Sequence, residues 1–124
     1  MAGPPVVAKI LGPLEAEVME VLWAGDAQMS VRAVLDRLND GRVPPLAYTT
    51  VMTVLARLAE KGVLLRELDG RGYLYQAAVP DVASIAVRGV LRDFGEAAVA
   101  GFVDVARADP RLLRRLQKLL DEPS

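Results

Sequence analysis

The chain has 124 residues, 52% of them hydrophobic and 25% charged, with a net charge of −1. That is enough apolar material for one compact domain, or for a small domain with a helical appendage, without covalent or metal staples. Cysteine and histidine are both absent, which removes disulfides, thiolate or imidazole metal sites and every Ser-His or Cys-His nucleophile pair. Serine occurs only at Ser30, Ser84 and Ser124 and there is no glycine-rich phosphate loop, so no catalytic residue, metal ligand or cofactor is assigned and the chain is not read as an enzyme. The longest apolar runs are far shorter than a bilayer span, and the N-terminus lacks a basic region followed by an apolar core. The expectation is a cytoplasmic protein with no membrane insertion.

Near-neutral charge argues against a nonspecific coater of nucleic acid, but the charge is unevenly spread. Residues 1–36 carry a balance of minus three and residues 37–71 a balance of plus two. Residues 1–10, with Gly3-Pro4-Pro5 and Lys9, show no helical period and are expected to be a flexible arm. Pro13 suits a first helical turn, and Leu14, Val18, Val21 and Leu22 recur at helical spacing after it. Glu15, Glu17 and Glu20 form that helix's polar side, read as a solvated face rather than acid-base or metal-binding machinery; Trp23 is read as a core anchor. Ser30 is the N-cap of a second short helix over 31–38, with Val31, Val34, Leu35 and Leu38 at helical spacing; Asn39-Asp40-Gly41 ends it. Arg42-Val43-Pro44-Pro45 is then a stiff connector.

The next segment, Leu46 to Gly62, separates by chemistry when turned at about 100° per residue. Tyr48, Val51, Met52, Val54, Leu55, Leu58 and Ala59 fall in one arc, and Thr49, Thr50, Thr53, Ala56, Arg57, Glu60 and Lys61 in the other. Threonine is a mediocre helix former, so three of them are a costly way to make an ordinary solvated face. A DNA groove supplies a reason: threonine is short, its hydroxyl donates or accepts at base edges and phosphates, and its methyl meets a thymine methyl. Arg57 and Lys61 lie one and two turns on, within reach of backbone phosphates. Gly62 is the expected stop. Two β-prone runs over 63–68 and 73–77 follow, joined by Asp69-Gly70-Arg71-Gly72, a hairpin signal with Arg71 at its tip.

Three helices and a hairpin within about 65 residues give the order of a winged helix-turn-helix, the third helix being the reader and the hairpin the wing. The fold class expected is mainly α with a small β-hairpin, a winged helix-turn-helix over 11–78 followed by C-terminal dimerisation helices over 79–124. The helices expected there are 82–94, 96–107 and a last one opened by Asp109-Pro110. Such short helices do not stand alone in water, so their apolar stripes either fold back on the wing domain or bury against a second chain. A second copy fits, since palindromic sites require twofold partners. The candidate dimer interface is Val87, Val90, Leu91, Phe94, Phe102, Val103, Leu112, Leu113, Leu116, Leu119 and Leu120. The candidate DNA-contacting residues are Tyr48, Thr49, Thr50, Thr53, Arg57, Lys61, Arg71 and Arg42.

Three blocks in this order, Leu14 to Trp23, Tyr48 to Gly62 and Arg71-Gly72-Tyr73-Leu74-Tyr75, resemble the penicillinase repressor family, the BlaI/MecI/CopY type of transcriptional regulators. The resemblance implies a homodimeric repressor that occupies a pseudo-palindromic, double-stranded DNA operator. It carries reader roles onto Thr49, Thr50, Thr53 and Arg57, with Arg71 on the wing. Copper-responsive members of this type end in a cysteine-rich motif, and this chain has no cysteine, which excludes copper sensing by that route. The best-known penicillinase repressors are inactivated by cleavage of an Asn-Phe bond in the C-terminal region; the nearest counterpart here is Gly101-Phe102. Release by a membrane-bound or soluble regulatory protease and release by a small-molecule ligand therefore both stay open, as does a winged-helix module that docks protein instead of DNA.

Overall fold

In the computed structural model, which describes residues 11–25 and 27–123, Gly12 precedes the first helix and its N–H donates to Glu15 Oε1 at 3.2 Å. The helix, α1 (Pro13–Ala24), starts with proline at a position whose N–H has no helical partner. The arm expected over residues 1–10 lies outside the described residues. The rest of the order is β1 (Met29–Ser30), α2 (Val31–Asn39), α3 (Tyr48–Glu60), β2 (Leu64–Asp69), β3 (Gly72–Ala77), α4 (Val82–Phe94), α5 (Glu96–Arg107) and α6 (Pro110–Asp121). This is a mainly helical winged helix-turn-helix followed by C-terminal helices, the fold class expected.

Local chemistry sets most of the boundaries. Ser30 Oγ accepts from Ala33 N at 3.0 Å, capping α2. α3 ends in a Schellman motif: Gly62 takes φ +81°, Gly62 N donates to Ala59 O at 3.0 Å and Val63 N to Leu58 O at 3.1 Å. Asp109 Oδ1 accepts from Arg111 N at 3.1 Å and Leu112 N at 3.3 Å, with Pro110 opening α6. In the hairpin, Asp69 pairs with Gly72, which leaves Gly70-Arg71 as a two-residue loop. Gly70 has φ +63° and Arg71 does not have a positive φ, the type II′ pattern that matches strand twist.

β1 has no counterpart among the expected elements. Met29 pairs with Tyr75 and Ser30 with Leu74, giving an antiparallel sheet in the order β1-β3-β2. Two residues show no periodicity, and Ser30 already serves as a helix cap, so only the pairing partner marks this strand.

Packing groups the chain into one unit up to Ile85 and a second from Ala86 onward. The core of the first joins Val18, Met19 and Leu22 of α1, Val34 and Leu35 of α2, Val51, Leu55 and Leu58 of α3, and Leu64 and Tyr75 of the sheet. Val79 and Ile85 are buried in it too, although the sequence assigns both to the helical region. Trp23 is half-buried at the rim of this core, its Nε1 donating to Val79 O at 2.8 Å. In the second unit only Ala106 is buried among the described residues.

Two members of the apolar arc of α3 are corrected: Tyr48 and Met52 are each 42% exposed. Both sit on the side of that arc away from the buried Val51, Val54, Leu55 and Leu58, so the core-facing stripe is narrower than hydrophobicity alone implies. Leu55, with no exposed surface, is expected to cost about 2–5 kcal/mol as Leu55→Ala. Thr53→Ala, on the solvent side of the same helix, should leave the urea midpoint nearly unchanged; equilibrium unfolding of the two variants checks this.

Candidate nucleic-acid interface

Burial of Val51, Val54, Leu55 and Leu58 orients α3, and the opposite arc follows from the helical period. Tyr48, Thr49, Thr50, Met52, Thr53, Arg57 and Lys61 are all exposed along it. Met52 joins this surface through its exposure; its apolar side chain gave no reason to place it there. Arg71 is exposed at the hairpin tip between Gly70 and Gly72.

Where α3 begins is decided by Asn39, the last residue of α2. Its Oδ1 accepts from Leu46 N at 2.7 Å and its Nδ2 donates to Leu46 O at 3.1 Å. The amide thus imitates a paired strand residue and closes residues 40–45 into a loop that delivers the chain to α3. The sequence marks Asn39 as a helix terminator, and its second role is invisible there because the partner lies across the loop.

α1 braces both flanks of α3. Arg42, before α3, donates from Nε to Leu38 O at 3.2 Å and forms an ion pair with Glu17. Lys61, after α3, donates from Nζ to Glu15 Oε2 at 3.0 Å and Oε1 at 3.2 Å. Glu15 and Glu17 are therefore half-buried pairing groups rather than a solvated face, while Glu20 is exposed. Partners 25 and 46 residues away in the chain leave no mark on the period of α1. Among the expected DNA-contacting cations, Arg42 and Lys61 are each held by a carboxylate; Arg57 and Arg71 have no ion-pair partner among the described residues.

Two further arginines, one beside the start of α3 and one on the hairpin, were not anticipated. The Arg32 guanidinium, on α2, lies 5.3 Å from the ring centroid of Tyr48, the first residue of α3. On the hairpin, the Arg66 guanidinium lies 4.7 Å from the ring centroid of Tyr73. Arg66 pairs with Tyr75 and Leu68 with Tyr73, so Arg66 and Tyr73 are diagonal neighbours on one face, a relation readable from hairpin register. The Arg32 contact is purely tertiary.

The expected interface residues of the second unit are largely uncovered. Val87, Val90, Leu91, Phe94, Phe102, Leu119 and Leu120 are exposed; Val103, Leu112, Leu113 and Leu116 are half-buried. Between α4 and α5 runs an apolar cleft of about 460 Å³ lined by Ala86, Val87, Val90, Leu91, Ala98, Val99 and Phe102. Val99, in this cleft, and Val105, on the same helix, are 52% and 60% exposed; neither is among the interface residues expected. No helix among the described residues is long and apolar enough to cross a membrane.

A helical trio, a three-stranded sheet ending in a hairpin and an outward threonine arc on the third helix define a winged helix-turn-helix protein. Residues 11–122 match the family described as penicillinase repressor, and the chain belongs to that family. It is 48% identical over 65 residues to the transcriptional regulator BlaI of Mycobacterium tuberculosis, in strains CDC 1551 and H37Rv alike, covering 52% of this chain and 46% of the relative. It is 34% identical over 71 residues to an uncharacterized 16.5 kDa protein of Latilactobacillus sakei, covering 57% of this chain and 47% of the other. The chain thus spans about half the length of the curated relatives it matches. Among solved structures, the crystal structure of M. tuberculosis Rv0081 aligns with a TM-score of 0.46 at 22% identity, over 82% of this chain and 99% of that one.

Asn39→Ala removes both bonds to Leu46 and leaves a half-buried backbone group without its partner. It is expected to lower unfolding stability by about 1–3 kcal/mol in urea denaturation, more than Asp40→Ala beside it, whose side chain is exposed.

Proposed function

We propose that the protein is a transcriptional repressor that binds an operator as a homodimer, with α3 in the major groove and the β2–β3 hairpin at the flanking backbone. The observation that carries this reading is the exposure of Thr49, Thr50, Thr53 and Arg57 on one arc of α3 while the opposite arc is buried. In this reading the threonines meet base edges, and Arg57 and Arg71 contact phosphates or, for Arg57, a guanine edge. Tyr48 borders the readers, and Arg42 and Lys61 contribute to the same face from within their ion pairs. Residues 11–78 serve as the DNA-binding domain and 79–124 as the dimerisation region, in a protein acting in the cytoplasm.

Dimerisation is supported by the apolar surface that α4, α5 and α6 leave uncovered. Stable monomers seldom keep so much contiguous apolar surface in water, and a second copy brings an identical stripe to cover it. Release of the operator has two routes. Gly101-Phe102 lies inside α5, so a regulatory protease cutting there acts on a locally opened helix. The apolar cleft between α4 and α5 favours the second, a small apolar ligand competing with the partner copy.

Footprinting on the DNA upstream of its own gene is expected to give two protected half-sites about one helical turn, or a multiple of it, apart. Thr53→Ala should lower the preference for that DNA over a random duplex about tenfold. Arg71→Ala should weaken both duplexes alike; equal losses for both variants on both duplexes would refute these roles. Protein capture that survives nuclease treatment, with no protected site, would instead favour a protein-docking module. Phe102→Asp, at a side chain 49% exposed, is expected to shift the sedimentation mass from dimer to monomer at micromolar concentration without unfolding the winged unit.

A further inference from the structure

Four cations of the winged unit are held in two different ways. Arg42 and Lys61 are braced by the carboxylates Glu17 and Glu15, which fixes the side chain and cancels its charge. Arg32 and Arg66 are braced by the rings of Tyr48 and Tyr73, which fixes the side chain and cancels nothing. A guanidinium held over a ring interacts through its charge, and neither arginine's side chain donates a hydrogen bond within the described residues, which leaves its N–H fork for two phosphate oxygens. Both arginines are exposed, and neither has an ion-pair partner among the described residues.

Their placement is also paired. Arg32 meets the first residue of α3, and Arg66 lies on the hairpin that follows the C-terminal end of α3. One ring-braced cation therefore belongs to the start of α3 and the other to the wing, the two parts of the unit read as meeting DNA. An exposed arginine ordinarily loses much rotamer freedom when it seizes a phosphate; a ring contact made before binding removes part of that loss.

We propose that Arg32 and Arg66 are two preorganised phosphate contacts that set the register of α3 in the groove, with Tyr48 and Tyr73 as their positioning residues. This rests on the DNA-binding reading above and adds to it two contacts and a mechanism for their order. The ligand is the phosphate backbone of duplex DNA, so the contacts add affinity without adding sequence preference.

The test is affinity against salt for the full chain, on the DNA upstream of its own gene and on a random duplex of equal length. Arg32→Ala and Arg66→Ala are each expected to weaken both duplexes by the same factor. Each should also make the slope of log affinity against log salt shallower by roughly 0.9, the value for one phosphate no longer neutralised. Arg32→Lys should recover the slope but not the full affinity, since a lysine keeps the charge without the fork. Tyr48→Leu, which leaves Arg32 unbraced, should weaken binding with the slope retained, and Tyr48→Phe, which keeps the ring, should weaken it less than Tyr48→Leu. Thermal unfolding of each variant separates binding losses from misfolding. A parent that binds with steep salt dependence, alongside Arg32→Ala and Arg66→Ala variants of unchanged slope, overturns this inference alone. A parent that binds neither duplex overturns the DNA reading and this inference with it.

Discussion

Burial of the apolar arc of α3 is the interaction on which the rest of the molecule depends. Val51, Leu55 and Leu58 are completely enclosed and Val54 nearly so, each contributing about 1.5–3 kcal/mol by leaving water. Rotating α3 about its axis would expose this stripe and bury Thr49, Thr53 and Arg57 without partners, so the same burial that stabilises the fold also aims the polar arc outward. The Schellman motif at Gly62 and the Asn39–Leu46 bonds then fix where that helix stops and starts. Stability and presentation of the candidate reading face are one packing decision.

Electrostatics work around this scaffold in a compensating way. The acidic α1 offsets two of the cations beside α3 and ties down both flanks of the helix, which explains how a chain of net charge −1 still leaves arginines clear around the exposed arc. Exposed ion pairs are individually worth little; their effect here is to select which cations remain uncompensated. Arg57 and Arg71 remain so through the lack of a partner among the described residues, and Arg32 and Arg66 because their partners are neutral rings.

The second unit is built on the opposite principle. Its helices are locally well specified, with Asp109-Pro110 opening α6 and Gly95 at φ +58° separating α4 from α5. Yet nearly all of its large apolar side chains keep contact with solvent within the single chain. Local chemistry specifies these helices, but among the described residues they close no core of their own; in the dimer proposed above, a second copy supplies the covering surface.

Elements whose signal is local were legible beforehand. The amphipathic period of α2 and α3, the caps Ser30 and Asp109, the stop at Gly62 and the Gly70-Arg71 turn all follow from residues close together in the chain, because propensity, capping and turn chemistry act between near neighbours; the winged-helix repressor type was legible from the order of three such local blocks. What tertiary structure decided acts over longer separations: β1 exists only because β3 pairs with it, Glu15 and Glu17 serve α3 rather than the solvent, Tyr48 and Met52 leave the core stripe, and Arg32 finds its ring. Sequence periodicity states which side of a helix is apolar, but how wide a stripe is covered, and which charges are cancelled, depends on what the fold places opposite. The threonine arc was therefore visible in the sequence alone, and the set of cations left free around it was not.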